Sequence, residues 1–278
     1  MIKYLLPYGW FGLLILLSGE VLLFSENLII SVWFTPVIWT GYILFLDSIV
    51  LKRTGTSFLK RTSSFLPLIL ILSIGTWLIF EGYNLLIKNW YYVNLPENIP
   101  VRYFGYAWAF ATIFPGIFIT YDFLYSFKWF KKFKIKPLIL TQRTYHFIII
   151  ISTICSIYPL ILPNEYLFPL IWISFIFLLD AVNYLLEGDS LFRDLEEGKP
   201  GRIYALFSAG LICGLLWEFW NYWAYSKWIY TVPYLPDLKI FEMPVLGYLG
   251  FPPFAVECFV FYQFYKIILR RVGMNLKY

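Results

Sequence analysis

Eight stretches of about twenty mostly apolar residues follow one another along this chain, each long enough to carry a helix across a bilayer. They cover residues 4–24, 28–51, 64–87, 104–127, 145–162, 166–186, 202–225 and 250–269. In hydrocarbon, backbone N–H and C=O groups must be bonded within the protein, so such segments fold as helices. The expected class is an all-α, polytopic membrane protein of about eight transmembrane helices. The side chains agree. Only 14% are charged and 60% are hydrophobic, against about a quarter charged in a soluble domain. Pro36, Pro115 and Pro159 fall inside the stretches, where membrane helices accommodate proline as a kink. The first stretch contains Glu20 and no small-residue cleavage site, so it is expected to be a retained helix, not a signal peptide.

Orientation follows from the basic residues. Eighteen of the 22 fall at the termini and in the loops 52–63, 128–144 and 187–201 with Arg202, counting Lys3 and Lys277. The other side holds Lys88, Arg102, Lys227 and Lys239. The positive-inside rule then places both termini in the cytoplasm, and the expected location is the cell (inner) membrane, as a multi-pass protein. The net charge of +5 is accounted for by this orientation, so nucleic acid is not an expected partner. The basic, aromatic run 128–137 is expected to lie on the cytoplasmic leaflet, where it can meet anionic headgroups.

The chain repeats itself. Trp39 and Asp47 are matched by Trp172 and Asp180, Glu81 and Asn84 by Glu218 and Asn221, Trp90 and Tyr92 by Trp228 and Tyr230, and Pro100-Val101 by Pro244-Val245. The order is kept while the offset drifts from 133 to 144 residues. This predicts two parallel four-helix repeats, 1–138 and 139–278. Their pseudo-two-fold axis would run along the membrane normal, with any binding site between them.

Seven carboxylates lie within the stretches, and an acid near a helix centre costs roughly 2.5–3.5 kcal/mol on insertion scales. Asp47, Asp122 and Asp180 sit near the basic side and are expected to pair with Lys or Arg there. Glu20, Glu81, Glu218 and Glu257 lie in the outer half, where few cations are available. At least some of these are expected to carry their proton at neutral pH. Glu218 and Asn221 share a helix face within an aromatic run that includes Trp217 and Trp220. Glu257 is expected at a similar depth. Glu218 and Glu257 are therefore the candidate acid–base pair. Glu81, Asn84, Trp217, Trp220, Asn221, Trp228 and Tyr230 are the candidate substrate-binding residues. The competing reading is hydrogen bonding that serves helix packing alone.

Other chemistries find little footing. Three scattered cysteines and the single His146 offer no metal cluster, and no metal or cofactor is expected. His146 itself is expected to be structural. The chain contains no phosphate-binding glycine loop, dinucleotide fingerprint or His-Glu-x-x-His pair. No mid-span lysine is present for a retinal Schiff base, nor an arginine ladder for voltage sensing.

In the second half, Glu218 is followed by Trp228-Ile229-Tyr230, Pro253, Glu257 and Phe259-Val260-Phe261. In the first half, Glu81 is followed by Trp90-Tyr91-Tyr92, Pro115 and Asp122. This order resembles the membrane lycopene-cyclase domain family, whose members are small, helical and tandemly duplicated. The chain departs from that family in having a single Glu257 in place of a paired Pro-x-Glu-Glu, and four helices per half in place of three. The resemblance implies cofactor-free acid–base chemistry on a long isoprenoid. An acid protonates a double bond, aromatic faces stabilise the cation, and a base removes a proton. The expected function is thus an intramembrane enzyme acting on an isoprenoid- or carotenoid-like lipid. The alternatives are a proton-coupled transporter, which would need a polar path joining the outer and inner acids, and a non-catalytic assembly protein, which would need neither path nor cavity.

Overall fold

The computed structural model describes residues 5–24 and 28–274. Position 4, where the first expected span begins, and Lys3 and Lys277 lie outside the described residues. Among the described residues are eight spans long and apolar enough to cross a membrane, and the protein is all-α and polytopic as expected. The first half comprises α1 (Pro7–Phe24), α2 (Leu28–Thr54), the short α3 (Phe58–Thr62), α4 (Leu66–Ile87), strand β1 (Trp90–Val93), α5 (Ile99–Ala111) and α6 (Ile113–Tyr125). The second half runs α7 (Gln142–Ile161), α8 (Phe168–Leu185), the short α9 (Leu191–Glu196), α10 (Gly201–Trp223), β2 (Lys227–Tyr230), β3 (Lys239–Ile240), β4 (Met243–Pro244) and α11 (Phe251–Arg271). Pro100-Val101 falls in the first turn of α5 and Pro244-Val245 at the step from β4 into the 3-10 turn Val245–Gly250 that leads into α11, so both copies stand at the start of the last span of their half.

At the basic end the halves are built alike. Asp47 accepts hydrogen bonds from the Tyr8 hydroxyl (2.8 Å) and the Leu59 N–H (3.2 Å). Asp180 accepts from the N–H groups of Leu191 (2.9 Å) and Phe192 (2.7 Å). Each carboxylate therefore satisfies the otherwise unbonded N-terminus of the short helix that follows its span. Ser57 and Ser190 supply the N-caps of those helices. Among the described residues the expected pairing with a basic side chain occurs only for Asp122, which accepts two bonds from the Arg61 guanidinium (2.8 and 3.1 Å). A backbone N–H at a helix start does the same work in hydrocarbon, which is why Asp47 and Asp180 need no cation. His146 donates from Nδ1 to the Gln142 carbonyl one turn back on α7.

The halves differ in their last span. Pro115 lacks an N–H and interrupts the ladder, so the fourth span divides at Thr112 into α5 and α6. The hydroxyl of Ser73 on α4 enters this break, donating to Phe110 O (2.7 Å) and accepting from Phe114 N (3.1 Å). Those two backbone groups would bond each other in an unbroken helix. The span also starts at Ile99, earlier than the apolar run suggested, because the Asn98 side chain caps it and Pro100 suits its first turn. In the second half α11 continues unbroken from Phe251 to Arg271.

Helices α10 and α11 meet through Gly210 and Gly214, four residues apart, a spacing that lets membrane helices approach closely. A Cβ added at Gly210 would lie 2.2 Å from the Phe251 carbonyl oxygen, which is backbone and cannot swing aside. Gly210→Ala is therefore expected to cost about 1–3 kcal/mol of overpacking and to lower the thermal midpoint in detergent. Gly75→Ala on α4 meets nothing within 4 Å and is expected to leave the midpoint unchanged or raise it. Equal midpoints for the two variants would contradict the packing described.

Candidate functional site

The end of the bundle opposite the basic loops is closed by an antiparallel ribbon of β1 and β2. Its register pairs Trp90 with Tyr230, Tyr91 with Ile229, and Tyr92 with Trp228. The Trp-x-Tyr motif of one half thus lies on the Trp-x-Tyr motif of the other, related by a local two-fold axis between Tyr91 and Ile229. The two asparagines of the repeat hold this ribbon. Asn84 donates from Nδ2 to Trp90 O (2.8 Å) and accepts from Trp90 N (3.1 Å) at Oδ1. Asn221 donates to Trp228 O (2.8 Å) and accepts from Trp228 N (3.0 Å). A carboxamide is the side chain that can donate and accept at once to one backbone unit, which explains why the same residue type stands at both places.

Behind the ribbon, the two repeat-related glutamates occupy different states. Glu81 Oε1 accepts from Trp77 Nε1 (2.8 Å), Trp90 Nε1 (3.1 Å) and the Tyr92 hydroxyl (2.5 Å). Glu218 is fully buried, and neither carboxyl oxygen has a hydrogen-bond partner. Trp228 and Tyr230 stand beside it as Trp90 and Tyr92 stand beside Glu81, without closing hydrogen bonds of acceptable geometry. Glu257 on α11 is likewise fully buried with both oxygens unpartnered, and Tyr83 of α4 is within electrostatic reach of it. No hydrogen bond joins Glu218 to Glu257, and their neighbours differ. Glu20, the remaining outer acid, accepts from Trp220 Nε1 (2.9 Å).

Between the halves, under the ribbon, lies a cavity of about 150 Å³. Trp39, Trp77, Trp172, Trp217, Ile113 and Phe254 form its apolar wall. Tyr92, Trp228 and Tyr230 of the ribbon form its roof, and Arg102 and Lys227 its rim. The rings pack edge and tilt against one another, as Trp39 does on Trp217 (5.0 Å) and Trp77 on Phe254 (5.6 Å). The Nε1 groups of Trp39, Trp172 and Trp228 and the Thr35 hydroxyl, all on cavity residues, have no partner within the protein. Of the residues singled out in the sequence, Trp217, Trp228 and Tyr230 line this space. Glu218 sits one residue behind Trp217, and Trp220 turns to Glu20. Asn84 and Asn221 are committed to the ribbon. Sequence reading passed over Trp39, Trp77, Trp172 and Tyr92 as site residues. Trp39, Trp172 and Tyr92 were already marked by the repeat, which was the available signal.

No cluster of three or more His, Cys, Asp or Glu side chains able to hold a metal ion occurs among the described residues. No family model, curated protein or solved structure matches the chain.

The inequality of the glutamates has a measurable consequence. Glu81→Leu strands three donors, each costing about 1–3 kcal/mol when buried without a partner, and is expected to lower the unfolding midpoint sharply. Glu218→Leu removes a buried polar group that bonds nothing, so it is expected to leave the midpoint unchanged or raise it. Parallel thermal melts in detergent decide this, and equal losses would show that Glu218 is tied as firmly as Glu81.

Proposed function

We propose that the protein is an intramembrane enzyme that acts on an isoprenoid-like lipid by carboxylic acid–base chemistry, with Glu218 as the principal acid and Glu257 as the second carboxyl. One observation carries this reading: Glu218 is buried and unbonded at the position where its counterpart Glu81 is bound by three donors. Burying a polar group without a partner costs about 2–7 kcal/mol, a cost that a purely structural bundle has reason to remove and a catalytic one has reason to keep. Glu218 does not itself line the aromatic cavity but lies beside its lining residues Trp217, Trp228 and Tyr230, and that cavity would supply the complementary half of the chemistry. Indole and phenol faces stabilise a developing cation, and the surrounding helices exclude water that would quench it. A volume near 150 Å³ is about what an apolar cavity needs to hold a benzene-sized ring. That suits one end of a lipid, with the remainder lying outside. Tyr230 lines the cavity and stands beside Glu218, so a small approach of its hydroxyl to the carboxyl would let it relay a proton between them.

Proton-coupled transport finds less support. The inner acids are occupied by helix starts and by Arg61, and buried Phe114, Ile117 and Phe118 fill α6 between the two levels. An assembly role leaves the unbonded carboxyls and indoles without a purpose. The resemblance to the membrane lycopene-cyclase domain family points the same way as the enzyme reading. In this reading the membrane is the cell's inner membrane, with the basic end inward by the positive-inside rule.

Expression in a bacterial host that accumulates lycopene and its prenyl precursors, followed by chromatography of the lipid extract, tests the proposal. A new isomer, formed by proton addition and loss without water capture, is expected with the native chain, and its loss with Glu218→Gln at equal membrane levels. An unchanged extract from well-expressed protein would count against an isoprenoid substrate. A product that persists in Glu218→Gln would remove that residue from the chemistry.

A further inference from the structure

The side of the protein that carries the ribbon has four basic residues in its sequence, and two of them, Arg102 and Lys227, line the rim of one cavity. Arg102 is half-buried in the opening turn of α5, where a cation opposes the positive end of the helix dipole. Its Nε donates to Pro96 O (2.9 Å), which fixes the stem and leaves the outer fork of the guanidinium open. Arg102 makes no ion pair among the described residues. Lys227 is steadied by Glu242 (2.6 Å) and by the Tyr222 ring, 5.2 Å from its Nζ. The rim therefore carries one net positive charge beside an aromatic space that opens from it. A cation held at a helix start beside a low-dielectric mouth makes a favourable place for an anion.

We propose that this rim binds the anionic head of an amphipathic lipid, a phosphate monoester on an isoprenoid-type chain, with the chain's first segment in the aromatic cavity. The proposal rests on the reading of this cavity as the ligand site and narrows the ligand from any isoprenoid to one with a charged head. The planar fork of Arg102 suits two phosphate oxygens, and Lys227, held by Glu242, adds a point charge at a fixed place. Hydrocarbon and head are recognised by different walls: Trp39, Trp77 and Trp172 at depth, Arg102 and Lys227 at the entrance.

The test uses the intact protein in nanodiscs of neutral lipid and the quenching of its tryptophan fluorescence. Farnesyl phosphate, farnesol and inorganic phosphate are titrated in turn. Farnesyl phosphate is expected to saturate at about tenfold lower concentration than farnesol, the value of one charge-assisted contact. Inorganic phosphate alone is expected to give no saturable change. Arg102→Gln is expected to erase the advantage of the phosphate and Arg102→Lys to keep part of it, in protein whose melting temperature is unaltered. If farnesol binds as well as farnesyl phosphate and Arg102→Gln changes neither, the charged head is refuted while the cavity reading stands. If inorganic phosphate competes as well as the lipid, the site is a free-anion site and the lipid is refuted. If none of the three quenches, both the proposal and the cavity reading fall.

Discussion

Two carboxamides hold this molecule in its working shape. Asn84 and Asn221 each bond both polar groups of a tryptophan backbone unit just past the end of a span, and so turn the chain from helix into strand at the same level in both halves. The two strands then meet in register, Trp90 on Tyr230 and Tyr92 on Trp228. Everything at the ribbon end follows from that meeting. The ribbon roofs the space between the halves and brings two tyrosine–glutamate pairs towards one cavity. It also holds Lys227, the first residue of β2, at the rim. Without the asparagines, the backbone groups at the ends of α4 and α10 would face a low-dielectric layer with no partner.

The correspondences between the two halves make their departures from one another informative. Pro115 breaks the fourth span and Ser73 heals the break, whereas α11 runs straight. The short α5 thereby becomes a separate wall, and the cavity forms against it. The same inequality appears in the acids. Glu81 is saturated by donors; Glu218 keeps the Trp-x-Tyr neighbours but has Gly214 where Glu81 has Trp77, and is not. In the proposed enzyme one copy of the motif supports the fold and the other has been released for chemistry, with Arg102 and Lys227 at the entrance.

Much of this was legible in the chain. The spans could be read because hydrocarbon leaves no alternative to helix, and the Trp-x-Tyr repeats because both copies pack at the same place. What the residues could not disclose was pairing. Nothing in the order of residues says that Trp90 lies on Tyr230, since strand register is a relation between distant segments. Asp47 and Asp180 looked like partners for lysine, yet they cap α3 and α9, because a helix start offers N–H groups that composition does not display. Glu81 and Glu218 looked alike, but Trp77, one turn before Glu81, is replaced by Gly214 one turn before Glu218, a difference the sequence carried, and the rest arises from the placement of Trp228 and Tyr230. Arg102 stood out only as one of a few basic residues on its side until the cavity appeared beside it.

The claim that the halves close on each other through this ribbon is tested most directly by cross-linking across it. Tyr91 and Ile229 are direct partners, and Tyr91 is half exposed. With Cys155, Cys213 and Cys258 replaced, the pair Tyr91→Cys and Ile229→Cys is expected to form a disulfide under mild oxidation in membranes. That bond would be seen as two fragments held together after cleavage of the loop between the halves. The shifted pair Trp90→Cys and Ile229→Cys, whose side chains leave opposite faces of the ribbon, is expected to form none. Cross-linking of the shifted pair in preference to the direct one would contradict the register, and with it the shared roof on which the site depends.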